Sequence, residues 1–128
     1  YGYAIVRASV ARALCGAALH PALTLHHRNK YDPFPLANDL MEPLRPLVDE
    51  HVAGWCTSRK TDTVALDRES KGALLTYLTG RFSSSFEERS LFDWAERWSE
   101  RLARCLERRR DHLDIEEIAY AGPGVAET

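Results

Sequence analysis

The chain has 128 residues, 45% hydrophobic and 28% charged, with a net charge of −2, which suits one compact core and gives no global signature of polyanion binding. Its first apolar stretch, 4–25, is broken by Arg7, Arg12 and His20, so no membrane span is expected. Cys15, Cys56 and Cys105 lie far apart and odd in number, which argues against a disulfide framework or zinc finger and favours the reducing cytoplasm.

The opening Tyr1-Gly2-Tyr3 has no initiator Met and no cleavage motif and runs straight into a helical pattern, so the chain reads as a fragment truncated at its N-terminus. Ile5, Val6, Val10, Ala13, Leu14, Ala17 and Ala18 recur at steps of three and four and predict a helix ending near His20-Pro21. A polar loop carrying His26, His27, Asn29, Asp32, Pro33 and Pro35 follows. A second helix is expected over about 36–56, with Leu40, Met41, Leu44, Leu47, Val48, His51, Val52 and Trp55 inward. Pro43 and Pro46 in its first turns imply a later start or a kink.

Asp67 is placed to cap a third helix and Gly80 to end it. After a short break at 83–85, a fourth helix is expected over 86–111, with Leu91, Trp94, Ala95, Trp98, Leu102, Cys105 and Leu106 on one face. Residues 121–128 read as a flexible tail, and no strand pattern exceeds 22–25. The expected architecture is all-α, one bundle-like domain of four to five main helices over residues 1–128. Trp94 and Trp98 read as packing residues, Arg108-Arg109-Arg110 as a solvated helix end, and His51 and His112 as isolated.

One stretch stands above this background. His26-His27 in the loop are followed by Asn38-Asp39-Leu40-Met41-Glu42-Pro43-Leu44-Arg45-Pro46 at the head of a helix. On a helix Asp39 and Glu42 project about 60° apart, near the end whose dipole favours negative charge. Imidazole nitrogen with carboxylate oxygen suits a hard divalent ion, manganese or magnesium, which can activate a nucleophile and hold a phosphoryl oxygen. Arg28, Lys30 and Arg45 stand beside these groups with charge suited to DNA phosphates. Spacing alone favours a plainer account, in which Asp39 caps the helix, Glu42 completes a capping box and the loop histidines are incidental. That account describes a helical interaction module without metal or catalysis.

Over residues 1 to about 52, however, the sequence resembles the CRISPR-associated endonuclease/integrase of spacer acquisition. The residues that carry this are Tyr1-Gly2-Tyr3, Ala17-Ala18-Leu19-His20-Pro21-Ala22-Leu23, Leu23-Thr24-Leu25-His26-His27-Arg28-Asn29 and Leu36-Ala37-Asn38-Asp39-Leu40-Met41-Glu42-Pro43-Leu44-Arg45-Pro46-Leu47-Val48-Asp49. The doubled histidine with Asn29 is similar to the type II subgroup, which accompanies single-effector interference systems. The resemblance implies the helical C-terminal catalytic domain of a larger two-domain protein. It implies a site of Mn2+ or Mg2+ held by a glutamate, a histidine and an acidic residue, the last two mapping to His27 and Glu42 as catalytic metal ligands. His26 is the alternative to His27, because Thr24 stands where the family has glycine, and Asp39 is a secondary ligand.

The family's first glutamate and its N-terminal β-domain lie before the Tyr-Gly-Tyr segment, so the resemblance implies that this fragment alone is inactive. For the complete protein it implies phosphodiester transesterification that inserts new spacers into a repeat array. The implied partners are protospacer and repeat DNA, a second copy as homodimer, a small companion adaptation protein bridging two dimers, and an interference nuclease, with no membrane.

Overall fold

The computed structural model describes residues 1–23, 33–60, 65–110 and 112–124. Its elements in chain order are α1 (Gly2–Gly16), α2 (Pro35–Met41), a 3-10 turn (Glu42–Leu44), α3 (Arg45–Ser58), α4 (Arg68–Leu78), β1 (Arg81–Ser83), β2 (Glu88–Ser90), α5 (Leu91–Glu107) and β3 (Ala119–Gly122). The domain is mostly helical, with five α-helices among the described residues. It is not purely all-α, because a small antiparallel sheet of order β2-β1-β3 is attached.

The core forms where α1 lies against α5 and α2. Val6, Val10, Ala13 and Leu14 supply the α1 face, and Leu91, Trp94, Ala95, Trp98 and Leu102 supply the α5 face. The i, i+3, i+4 periodicity of both segments is thus satisfied by mutual burial. Helix α1 stops at Gly16, before the expected His20-Pro21. Leu19 N–H bonds Leu14 O at 2.9 Å and Ala18 N–H bonds Cys15 O at 3.0 Å, with Ala18 at φ 60°, a left-handed closing turn of the kind that ends helices.

Gly2, the first residue of α1, is buried where α1 approaches α3 and α4. A Cβ there would stand 2.7 Å from Val48 Cγ1 and 3.1 Å from Leu74 Cδ2. Overpacking of a close contact costs about 1–3 kcal/mol, more than the gain of up to about 1 kcal/mol from replacing a helical glycine. Gly2→Ala is therefore expected to destabilise the domain by about 1 kcal/mol in urea unfolding. An increase in stability would show instead that Val48 yields freely.

The expected second helix is two helices. Pro43 and Pro46 lack N–H groups, so the α ladder cannot run unbroken through them, and a 3-10 turn joins α2 to α3. Burial continues across the junction through Leu40, Met41, Leu44, Leu47 and Val48. Helix α4 begins as expected: Asp67 accepts from Ser70 N–H at 2.8 Å and Asp67 N–H donates to Ser70 Oγ at 3.1 Å, a reciprocal cap. It ends at Leu78, and Gly80 sits where a Cβ would meet Gly122 O at 2.6 Å, so its lack of a side chain lets β3 close on the end of α4.

The expected fourth helix starts later than its apolar pattern suggests. Residues 86–90 instead return along β1, with Arg81, Phe82 and Ser83 opposite Ser90, Arg89 and Glu88. Ser84 ties the turn by donating its N–H to Glu87 O at 2.8 Å, and Ser90 caps α5 by accepting from Asp93 N–H at 3.1 Å. The other side of β1 pairs with β3, Phe82 opposite Tyr120. Ala121 and Gly122, expected in the tail, are the last residues of β3, and 125–128 lie outside the described residues. No helix among the described residues is long and apolar enough to cross a membrane.

Candidate functional site

Glu42 opens the 3-10 turn at the proline-marked junction of α2 and α3. Neighbours on both sides anchor the turn, since Met41 and Leu44 are in the core. The Glu42 side chain points outward and is 52% exposed. Arg45, one turn on, brings Nε to 3.1 Å from Glu42 Oε1. Nε is shielded from solvent and makes no directed hydrogen bond among the described residues, so the contact is an ion pair off the N–H direction.

Two residues that sequence reasoning did not single out complete this cluster. Tyr3, in the first turn of α1, donates its hydroxyl to Asp49 Oδ1, and its ring lies beneath the Arg45 guanidinium, 5.2 Å from centroid to Cζ. The hydrogen bond to Asp49, partial burial and the Asp49 charge push the Tyr3 phenol above its ordinary value; Arg45 pulls it down and Glu42 pushes it up. The four groups therefore share one electrostatic environment. Spacing would have found Asp49, because 42, 45 and 49 are separated by three and four residues on neighbouring turns. Tyr3 carried only a weaker signal, its place in the Tyr-Gly-Tyr motif.

Asp39 lies inside α2, whose N-cap is Phe34 with no side-chain cap, so the capping role that spacing favoured for Asp39 is not what the helix uses. Pro35 starts α2 earlier than a cap at 39 requires. Asp39 instead lines a cavity of about 380 Å3 between α2 and the end of α5, with Leu36, Leu102, Cys105, His112 and Ile115. Glu42 and Arg45 are thus brought together, and Asp39 lines the cavity beside α5. His26, His27, Arg28 and Lys30 lie outside the described residues.

Among the described residues no group of three or more His, Cys, Asp or Glu is disposed to hold a metal. At the junction the described residues offer one carboxylate, that of Glu42, with the Arg45 guanidinium beside it. Glu42 offers accessible carboxylate oxygen, and the thiols Cys15, Cys56 and Cys105 are remote in sequence from this turn.

The remaining candidates are structural. Trp94 and Trp98 are fully buried, their indole N–H groups donating to Phe82 O at 2.8 Å and Glu116 Oε2 at 3.0 Å. Burial pushes the Glu116 carboxyl up, but Arg101, its own backbone and Trp98 outweigh it and hold the carboxyl below its ordinary value. His51 stacks on Tyr77 at 4.2 Å and is lowered by burial. Tyr77 donates to Leu47 O at 3.1 Å, and burial with the Glu50 and Tyr120 charges pushes its phenol up to about 12. The arginine run closes α5: Arg110 N–H bonds Cys105 O at 3.0 Å and Arg109 takes φ 50°, the same closing turn as at α1.

These features define a mostly helical domain with an accessible carboxylate–guanidinium pair at a proline-broken helix junction. The family model described as CRISPR associated protein Cas1 matches residues 1–87, well over half of the chain, and the chain belongs to that family. It is also similar to the CRISPR-associated endonuclease Cas1 of Neisseria meningitidis serogroup C (strain 8013), 55% identical over 49 residues. That match covers 38% of this chain and 16% of the relative's length.

Proposed function

We propose that this chain is the helical catalytic domain of a metal-dependent DNA endonuclease/integrase, of the type II subgroup, that inserts new spacers into a CRISPR array. The observation that carries this reading is the family match over residues 1–87, which includes the His27 to Glu42 stretch, together with the similarity, 55% identical over 49 residues, to a CRISPR-associated endonuclease Cas1. His27 and Glu42 are the ligands, with Asp39 as secondary ligand or support and His26 as the alternative imidazole. The ion is Mn2+ or Mg2+; when bound it stabilises charge on phosphoryl oxygen and lowers the pKa of a bound hydroxyl.

The chain's own residues then have distinct tasks. Glu42 supplies oxygen at a fixed turn, because Leu44 and Met41 lock the backbone on either side. Arg45, 38% exposed beside it, together with Arg28 and Lys30, holds DNA phosphates. The bond made joins a 3′ hydroxyl of the captured DNA to a repeat phosphodiester, and the bond broken is that phosphodiester, so the reaction is an exchange of esters. The partners are protospacer and repeat DNA, a second copy of the protein, a small companion adaptation protein bridging two dimers, and an interference nuclease.

The test is strand transfer by the complete protein with its companion protein and a repeat-bearing duplex. Joined product is expected with Mn2+, loss of product on chelation, and recovery when Mn2+ is restored. Transfer that persists in chelator refutes the metal-dependent reading.

A further inference from the structure

We propose that the cavity at the C-terminal end of α5 is a binding site for a phosphate oxyanion, held by arginine side chains that the fold itself does not use. The cavity, about 450 Å3, is lined by Arg101, Arg104 and Arg108 of the helix and by Arg110, His112 and Asp114 of the segment that follows it. Its volume lies within the range of about 300–1,000 Å3 for ligand sites. The inference goes beyond the metal reading at Glu42 and does not depend on it.

One wall is a helix face. Positions 101, 104 and 108 are three and four residues apart, so their side chains follow one stripe along the last turns of α5. The other wall is fixed by contacts at the turn. Arg109, at φ 50°, reverses the chain, and the Cys105 thiol reaches the carbonyls of Arg110 and His112 at 3.4 and 3.2 Å. Arg101 Nη1 donates to Asp114 O at 3.3 Å, which ties the returning segment to the helix further back.

The closing turn uses only the backbone of the arginine run. The N–H groups of Arg108, Arg109 and Arg110 donate to the carbonyls of Arg104, Leu106 and Cys105 at 3.0, 3.2 and 3.0 Å. The partial negative charge of the helix end is thereby met without any guanidinium. Arg101 is engaged, with Nη2 at 2.6 Å from Glu116 Oε1, and Asp114, the carboxylate in the lining, lies 2.9 Å from His112 Nε2. Arg104, Arg108 and Arg110 have no ion pair among the described residues. Like charges four residues apart destabilise a helix, and Arg104 and Arg108 are such a pair. An anion between them reverses that effect. Every fixed cation of the lining is a planar fork, the geometry that meets phosphate oxygens two at a time. A carboxylate offers two oxygens in one plane, whereas a tetrahedral phosphate offers oxygens in several directions to forks on two walls. The phosphate belongs to a nucleic-acid backbone or to a free phosphate compound, which share this chemistry.

The experiment titrates inorganic pyrophosphate, and separately a short DNA duplex over a range of salt concentrations, into the complete protein kept in chelator. Chelation silences any metal chemistry, so failure here leaves the reading of Glu42 untouched. The unmodified protein is expected to bind pyrophosphate with a shift of the His112 ring signals in NMR. The double variant Arg104→Gln, Arg108→Gln is expected to weaken that binding by about tenfold or more, as loss of charge-assisted hydrogen bonds requires. Its unfolding midpoint is expected to stay level or rise, because a repulsion is removed.

The duplex identifies the source. If the phosphates come from nucleic acid, the dependence of duplex affinity on salt is expected to flatten by about two in logarithmic slope, one for each lost contact. An unchanged slope with weakened pyrophosphate binding assigns the site to a free phosphate compound. Pyrophosphate affinity and salt slope that are both unchanged in the double variant overturn the proposal. Pyrophosphate binding that leaves the His112 ring signals unmoved overturns it as well, and so does a lowered unfolding midpoint, which would assign these arginines to the fold.

Discussion

Trp94→Ala is expected to destabilise the domain by about 4 kcal/mol, within the range of about 3–5 kcal/mol for removing a large aromatic from a core. The indole is fully buried between α5 and β1, 6.3 Å from the Trp98 ring, and its N–H reaches Phe82 O at 2.8 Å. Truncation leaves a void lined by residues that cannot all collapse into it, and it deprives a buried carbonyl of a partner. Trp94→Phe separates the two losses: it keeps most of the ring volume, drops the donor and is expected to cost about 1–2 kcal/mol. Urea unfolding at fixed protein concentration measures both. A loss under about 2 kcal/mol for the alanine variant would mean that Trp94 is not a principal link between α5 and the sheet.

The same tryptophan shows what could be read in advance. The steps from Leu91 through Trp94, Ala95, Trp98 and Leu102 place a strong apolar stripe on a helix, and all five are buried. The helix start was not legible, because Phe86 extends the apolar pattern backwards and yet is 97% exposed at the hairpin turn. Its position is decided by Ser84 and Ser90, whose hydrogen bonds to nearby backbone compete with helix. The sheet was hidden for a related reason. Strands of three or four residues are too short to show a period of two, and β3 reaches β1 only through pairing across some forty residues.

At the junction of α2 and α3 the two prolines announced a break, and the structure resolves it into a 3-10 turn that presents Glu42. The chemistry of that turn was only partly legible. Arg45 sits beside Glu42 in sequence and in space. Tyr3 does not: its relation to Arg45 depends on how closely α1 approaches α3, and so on the missing side chain of Gly2. The Tyr-Gly-Tyr segment thus acquires a physical reading, the glycine setting the approach and the second tyrosine using it.

Glu42→Ala is expected to abolish strand transfer by the complete protein, by on the order of a thousandfold, while leaving DNA binding largely intact. A metal ion supplies several kcal/mol of transition-state charge stabilisation, and about 4 kcal/mol corresponds to roughly three decades of rate. Fold loss is not a competing explanation, because Glu42 is 52% exposed and its pair with Arg45 is a surface ion pair worth about 0–1 kcal/mol after solvent screening. Unfolding midpoints of the variant and the unmodified protein should therefore nearly coincide, whereas Trp94→Ala lowers the midpoint strongly. DNA affinity depends on cationic contacts to phosphate, and the residues proposed for that task, Arg28, Lys30 and Arg45, are unchanged in the variant. Glu42→Asp keeps the charge but draws it back by one methylene, and is expected to recover part of the activity at raised Mn2+ concentration. Glu42→Ala that still transfers strands at an undiminished rate would remove Glu42 from the metal site and leave its pairing with Arg45 as an ordinary surface contact.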